Sequence, residues 1–229
     1  MNETIPARLE AVRRRIGEAA RRAGRDPGGV RLVAVGKTWP APVVARAVRA
    51  GVTDLGENRV QEAAAKKPEI PPARWHMIGP LQSNKARLAL ETFDVIQTID
   101  RPRIAERLGR LLETDWPGRR LPVLLEINVG GEPQKAGALP ADAETVARTV
   151  LRWSGLELRG LMTVPPFSED PEASRPFFAE LAALRERLQD RLGHPLPELS
   201  MGMSHDFEVA IEEGATIVRV GTAIFGRRR

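Results

Sequence analysis

Eight short runs of β character, RLVAVG, TDLGE, RWHMIG, DVIQTI, PVLLEINV, ELRGLMTV, ELSMGM and TIVRVG, recur along a chain of 229 residues. Between them lie stretches with helical apolar spacing or strong helix formers, among them APVVARAVRAG, RPRIAERLGRLLETD and PFFAELAALRERLQDRLG. A strand followed by a helix and another strand needs a crossover, so the strands run parallel and the helices cover them. Eight such units, at a spacing of roughly 25 residues, fit closure into a barrel better than an open sheet. The expectation is therefore an α/β chain: a single (β/α)8 TIM-type barrel over residues 1–229, with an additional N-terminal helix from residue 1 to about 24 on its outside. An open doubly wound sheet is the alternative, because a repeat shows the units and not their closure. No linker, low-complexity segment or second domain interrupts the pattern.

Composition narrows the classes of function. With 42% hydrophobic and 28% charged residues the chain can bury a large core. No apolar run approaches the ~20 residues of a membrane helix, and the charged, amphipathic start MNETIPARLEAVRRRIGEAARRAG lacks a signal-peptide apolar region, so the expected location is cytoplasmic with no membrane partner. The absence of cysteine excludes disulfides, thiolate metal sites and a cysteine nucleophile. A net charge of +5 invites a nucleic-acid reading. It is set aside, because the basic residues are interleaved with 30 acids, aromatic residues are 4%, and the only dense basic blocks are Arg13 to Arg15 and Arg227 to Arg229.

Of the 35 basic residues only five are lysines: Lys37, Lys66, Lys67, Lys85 and Lys135. Arginine does not form a Schiff base under ordinary conditions, whereas a lysine amine that loses its proton attacks an aldehyde. Lys66 and Lys67 close a helix, where the dipole accounts for them. Lys85 and Lys135 fall in polar loops, and Lys37 alone finishes an apolar strand, LVAVGK. In a barrel, functional groups gather at the carboxyl ends of the strands. Glu57 and Asn58 follow the second strand, with Asn58 also placed to cap the next helix, and His76 lies inside the third. Ser204, after Gly202 and before a helix, and Gly221 with Thr222, after the last strand, are placed to meet an anion in loops seven and eight. Arg219 shares its side of the strand with Gly221 and requires an acceptor, either a core carboxylate or a ring nitrogen of a ligand. An aldehyde for lysine, a phosphate for the last two loops and a ring acceptor for arginine together describe pyridoxal 5′-phosphate (PLP).

The motifs VGKTWP, LGENRVQE, WHMIGPLQSNK, GLMTVPP, LSMGMSHDFEVAI and VRVGTAIFG resemble, in order and over nearly the whole chain, the YggS/PROSC pyridoxal phosphate homeostasis proteins. The resemblance implies a barrel like the N-terminal domain of alanine racemase, with Lys37 carrying PLP as a Schiff base. It also implies Arg219 facing the pyridine nitrogen, Ser204, Gly221 and Thr222 on the phosphate, and Asn58 near the ring. The position of His205 in the GMS motif varies in that family. The expected function is a PLP carrier or regulator, with PLP-requiring apoenzymes as partners and an oligomeric state left open, monomer included. An amino-acid racemase and, further off, a Schiff-base aldolase with Glu57 as acid/base group are the alternatives. The chain has no tyrosine, so the tyrosine that serves the second cofactor face in related racemases is missing. His76 and His205 are the groups left to replace it. Lys135, in the loop NVGGEPQKAG, is either a solvated cation or a temporary second attachment for PLP during release.

Overall fold

The computed structural model describes residues 4–226. The first three residues, where the expected first helix was to start, and the Arg227 to Arg229 block lie outside the described residues. Eight parallel strands close into a barrel in sequence order: β1 (Arg31–Val35), β2 (Asp54–Glu57), β3 (Arg74–Met77), β4 (Val95–Ile99), β5 (Leu121–Glu126), β6 (Leu156–Met162), β7 (Glu198–Ser200) and β8 (Ile217–Val220). Closure is made by β8 pairing with β1, Leu32 opposite Val218 and Ala34 opposite Val220. It settles the choice between barrel and open sheet.

Helix α1 (Ile5–Arg22) precedes the barrel, and α2 (Ala41–Arg49), α3 (Val60–Lys66), α4 (Ala86–Thr92), α5 (Pro102–Asp115), α6 (Ala143–Leu151), α7 (Arg175–Leu192), α8 (Phe207–Glu212) and α9 (Thr222–Phe225) follow the strands in turn. The Thr4 hydroxyl caps α1 by accepting from the Ala7 amide, and Pro6 suits the first turn, where its missing N–H is not needed. Leu9, Val12, Ile16, Ala19 and Ala20 form the buried stripe of α1 at helical spacing. The helix packs on the outside against α8 and α9. Two of the Arg13 to Arg15 block are tied down: Arg13 donates to the Gly51 carbonyl just after α2 at 2.6 Å, and Arg15 makes a two-pronged pair with Glu208 of α8 at 3.0 and 2.7 Å. Among the described residues no helix is long and apolar enough to cross a membrane.

Strand parity sorts the core into two shells. Ala34, Leu55, Trp75, Met77, Ile96, Val123, Leu125 and Leu199 face the helices. Inside the barrel a small apolar ring of Val33, Val95, Leu124, Met162 and Ile217 lies with an unusually polar set, Asp54, His76, Gln97, Ser200 and Arg219, all buried. Two strands stop three residues short of their runs. The β7 strand ends at Ser200 because Gly202 takes a left-handed conformation, φ +91°, in which an added Cβ would lie 2.6 Å from Ala210 and 2.8 Å from Phe207. The β5 strand ends at Glu126 because Ile127 and Asn128 turn to pair with Ala138 of their own loop.

Candidate functional site

Because β8 pairs with β1, the strand order β7-β8-β1-β2 brings four loops from opposite ends of the sequence side by side. Those loops carry Ser204, Gly221 with Thr222, Lys37 and Asn58, and Arg219 lies one layer below them on β8. All six expected site residues thus fall at one end of the barrel, on one contiguous arc.

Lys37 sits two residues beyond the end of β1, in a turn rather than in the strand, and its side chain is exposed. The backbone around it is held from three sides. The Gly36 carbonyl accepts from Lys66 Nζ at 3.1 Å, the Thr38 amide donates to Glu62 Oε1 at 2.6 Å, and the Thr38 hydroxyl donates to the Lys37 carbonyl. Thr38 itself takes φ +66°, a left-handed conformation uncommon for a residue with a branched Cβ. The buried lysine is Lys66, whose ammonium also meets Glu57 Oε1 at 2.9 Å and Glu62 Oε1 at 2.5 Å. This corrects the helix-dipole explanation of Lys66: it fastens α3 beneath the Lys37 turn. Lys67 donates to the Thr92 carbonyl at 2.5 Å. Glu57 faces the helix layer with Leu55 and not the barrel mouth, so it is removed as the acid/base group of an aldolase. Burial pushes its carboxyl up to about 7 against the pull of Lys66.

Loops seven and eight are clasped through Ser204, whose Oγ accepts from the Gly221 amide at 3.1 Å and the Ala223 amide at 3.3 Å. Asp206, buried below, accepts from the Met203 amide at 2.6 Å and from the Ser174 hydroxyl at 3.1 Å, which fixes the turn that presents Ser204. A Cβ built on Gly221 meets only Val35, at an ordinary 3.5 Å. Packing within the chain therefore does not demand glycine there. Thr222 is exposed at the start of α9. Asn58 does not cap α3, whose N-cap is Arg59 without a side-chain bond. Its backbone is crowded by Gly79, where an added Cβ would lie 2.4 Å from the Asn58 carbonyl oxygen.

Arg219 is 3% exposed and its acceptors are neutral: Nη1 donates to Ser200 Oγ and Nη2 to the Thr163 carbonyl, each at 2.7 Å. Burial lowers its value to about 10, with Glu126 and Asp206 opposing the shift. Neither carboxylate bonds it directly. Glu126, at the inward-facing end of β5, has a buried Oε2 without a partner, and burial, with Asp100 adding to it and Arg219 opposing, raises its carboxyl to about 7. The period-two rule that places Arg219 inside also places Glu126 there with Leu124. His76 bonds Asp54 and Gln97 through its two ring nitrogens, each at 2.9 Å, in the barrel interior, so it has no nitrogen left for a ligand's proton. His205 stands at the mouth, its ring 5.4 Å from that of the exposed Phe167. Lys135 pairs with Glu132 inside its own loop, and its amide donates to the Glu132 carbonyl. That is the contact of a loop cation.

A sequence model of the alanine racemase N-terminal domain matches residues 7–229. The chain is 47% identical over 228 residues to a pyridoxal phosphate homeostasis protein of Pseudomonas aeruginosa, covering 98% of this chain and 96% of that one. A protein of the same name from Aquifex aeolicus is 42% identical, with 97% of each chain covered. The solved structure of PipY from Synechococcus elongatus with PLP bound superposes with a TM-score of 0.84 at 37% identity, covering 97% of this chain and all of that one. The chain belongs to the alanine racemase N-terminal domain family and, within it, to the pyridoxal phosphate homeostasis proteins.

Proposed function

We propose that the chain binds PLP at the β7-β8-β1-β2 end of the barrel and acts as a carrier and regulator of the cofactor, without efficient catalysis of its own. The observation that carries this reading is that Arg219, buried and inward-facing on β8, shares one arc of the barrel end with the Lys37 turn after β1 and the Ser204–Gly221 clasp of loops seven and eight. When bound, PLP supplies an aldehyde for a lysine amine, a phosphate and a ring nitrogen that accepts a hydrogen bond. Lys37 offers the amine from a turn whose backbone is held on three sides. Ser204 already accepts two amides, which leaves its own O–H to donate to a phosphate oxygen; Gly221 leaves room for that oxygen and Thr222 adds a hydroxyl. Asn58, just after β2, borders the ring. Arg219 donates to the ring nitrogen without giving it a proton, because a guanidinium has donors only and stays charged.

A ring nitrogen that is not protonated draws electrons weakly, which suits storage better than carbanion chemistry. The chain also contains no tyrosine, and His76 is committed to Asp54 and Gln97. Cofactor held this way is available to PLP-requiring apoenzymes, the partners this reading implies. Titrating the purified protein with PLP and following its absorbance tests the assignment. Wild type is expected to develop the spectrum of a lysine Schiff base, and Lys37→Ala, folded by circular dichroism, to bind weakly with the spectrum of the free aldehyde. An unchanged Schiff-base spectrum in Lys37→Ala would remove Lys37 from the site.

A further inference from the structure

The contacts of Arg219 continue beyond Ser200. Ser200 Oγ donates to Gln97 Oε1 at 2.6 Å, Gln97 Nε2 meets His76 Nδ1 at 2.9 Å, and His76 Nε2 meets Asp54 Oδ1 at 2.9 Å. Asp54 is completed by the Thr53 hydroxyl at 2.7 Å and, more distantly, by Arg31 Nε at 4.0 Å. Five side chains from β8, β7, β4, β3 and β2 thus run through the barrel interior, from below the mouth to the amino end of the strands. Ser200, Gln97 and His76 are fully buried.

The direction of every bond follows from its first member. A guanidinium only donates, so Ser200 Oγ accepts from Arg219 and its single proton goes to Gln97. Gln97 then presents its oxygen to Ser200 and its amide N–H to His76, so His76 Nδ1 accepts. His76 carries its proton on Nε2 and gives it to the Asp54 carboxylate. Burial lowers the His76 value, with Asp54 opposing. Asp54 is pushed up by burial but brought below the usual carboxylate range by the bonds from His76 and Thr53. A neutral imidazole and an ionised Asp54 are the states in which no buried donor or acceptor of the chain is wasted.

We propose that Ser200, Gln97, His76 and Asp54 are a positioning relay for Arg219, a one-way hydrogen-bond chain that locks His76 as the neutral Nε2–H form and holds the guanidinium aimed at the barrel mouth. That the mouth receives the pyridine ring rests on the function proposed above; the relay itself does not. A truncated relay leaves Arg219 anchored only by the Thr163 carbonyl and free to turn.

Two measurements on ligand-free protein near pH 7 decide it. Nitrogen NMR of the His76 ring is expected to show Nε2 protonated and Nδ1 bare. The Arg219 Nη resonances are expected to be separate in wild type, to merge in Ser200→Ala as rotation is freed, and to separate again in Ser200→Thr, which restores the hydroxyl. With PLP added, Ser200→Ala is expected to lose about tenfold in affinity, with a shifted absorption maximum, and Ser200→Thr to recover both. A protonated or Nδ1–H His76, or Arg219 resonances and a PLP spectrum unchanged in Ser200→Ala while only its thermal stability falls, would overturn the relay. Failure of wild type to bind PLP would sink the cofactor reading alone, with the ligand-free spectra still deciding the relay.

Discussion

Glu126 and Lys66 show how far single residues can be read. Glu126 is inward-facing by the alternation of LLEINV, information present in the sequence, and its buried Oε2 lacks a partner. Its carboxyl is raised from an ordinary 4.5 to about 7, first by burial and then by Asp100. The folded protein therefore holds a proton between about pH 4.5 and 7 that the unfolded chain has released. The stabilising contribution of that proton is complete below about pH 4.5 and is lost as pH rises through about 7. In ligand-free protein, Glu126→Gln is expected to be more stable than wild type by about 2 kcal/mol at pH 8 and nearly equal to it at pH 5, measured by denaturant unfolding. An equal effect at both pH values would show that Glu126 is not a buried charge. Lys66 was not legible in this way. Its role depends on α3 folding back so that one ammonium reaches Gly36, thirty residues earlier, and nothing in AAAKKPEI distinguishes it from a helix-end cation.

The elements themselves were largely written in local pattern. Each of the eight apolar runs became a strand, because period and turn chemistry agree over three to seven residues, and strand ends were missed where a loop pairs with itself, as at Ile127 and Ala138. Contacts between elements were less visible. The Ser204 clasp joins loops seven and eight through two backbone amides, which one residue type in one motif does not announce. Ser204→Ala is expected to weaken PLP binding about tenfold while the Lys37 linkage still forms, since amine and phosphate contacts are separate. A spectrophotometric titration reads both quantities. Loss of the linkage with normal affinity would place Ser204 elsewhere than on the phosphate.

At the scale of the whole molecule the decisive feature is closure. Only with β8 beside β1 do motifs from the two ends of the chain meet, and closure is a property of strand tilt and register that repeat length suggests without fixing. The resulting mouth carries Lys37, Ser204, Gly221 and Thr222 above the buried Arg219, the chain has no tyrosine, and the two ring nitrogens of the buried His76 are bonded to Asp54 and Gln97. Efficient racemisation needs a proton carrier on each face of the cofactor, and losing one commonly costs about 10²–10⁴-fold. Holoprotein incubated with single amino-acid enantiomers is therefore expected to show no Lys37-dependent turnover approaching about 1 s⁻¹ by chiral chromatography. Sustained turnover at that rate would make the protein an enzyme, with His205 or Glu126 as the group to examine first. The central claim, that Lys37 is the covalent anchor of PLP, is tested most directly by incubating the purified chain with PLP, reducing with borohydride and locating the added mass by peptide sequencing. The expected result is one stoichiometric modification on Lys37, in the segment GKTWP; a modification confined to Lys66, Lys85 or Lys135, or none at all, would contradict it.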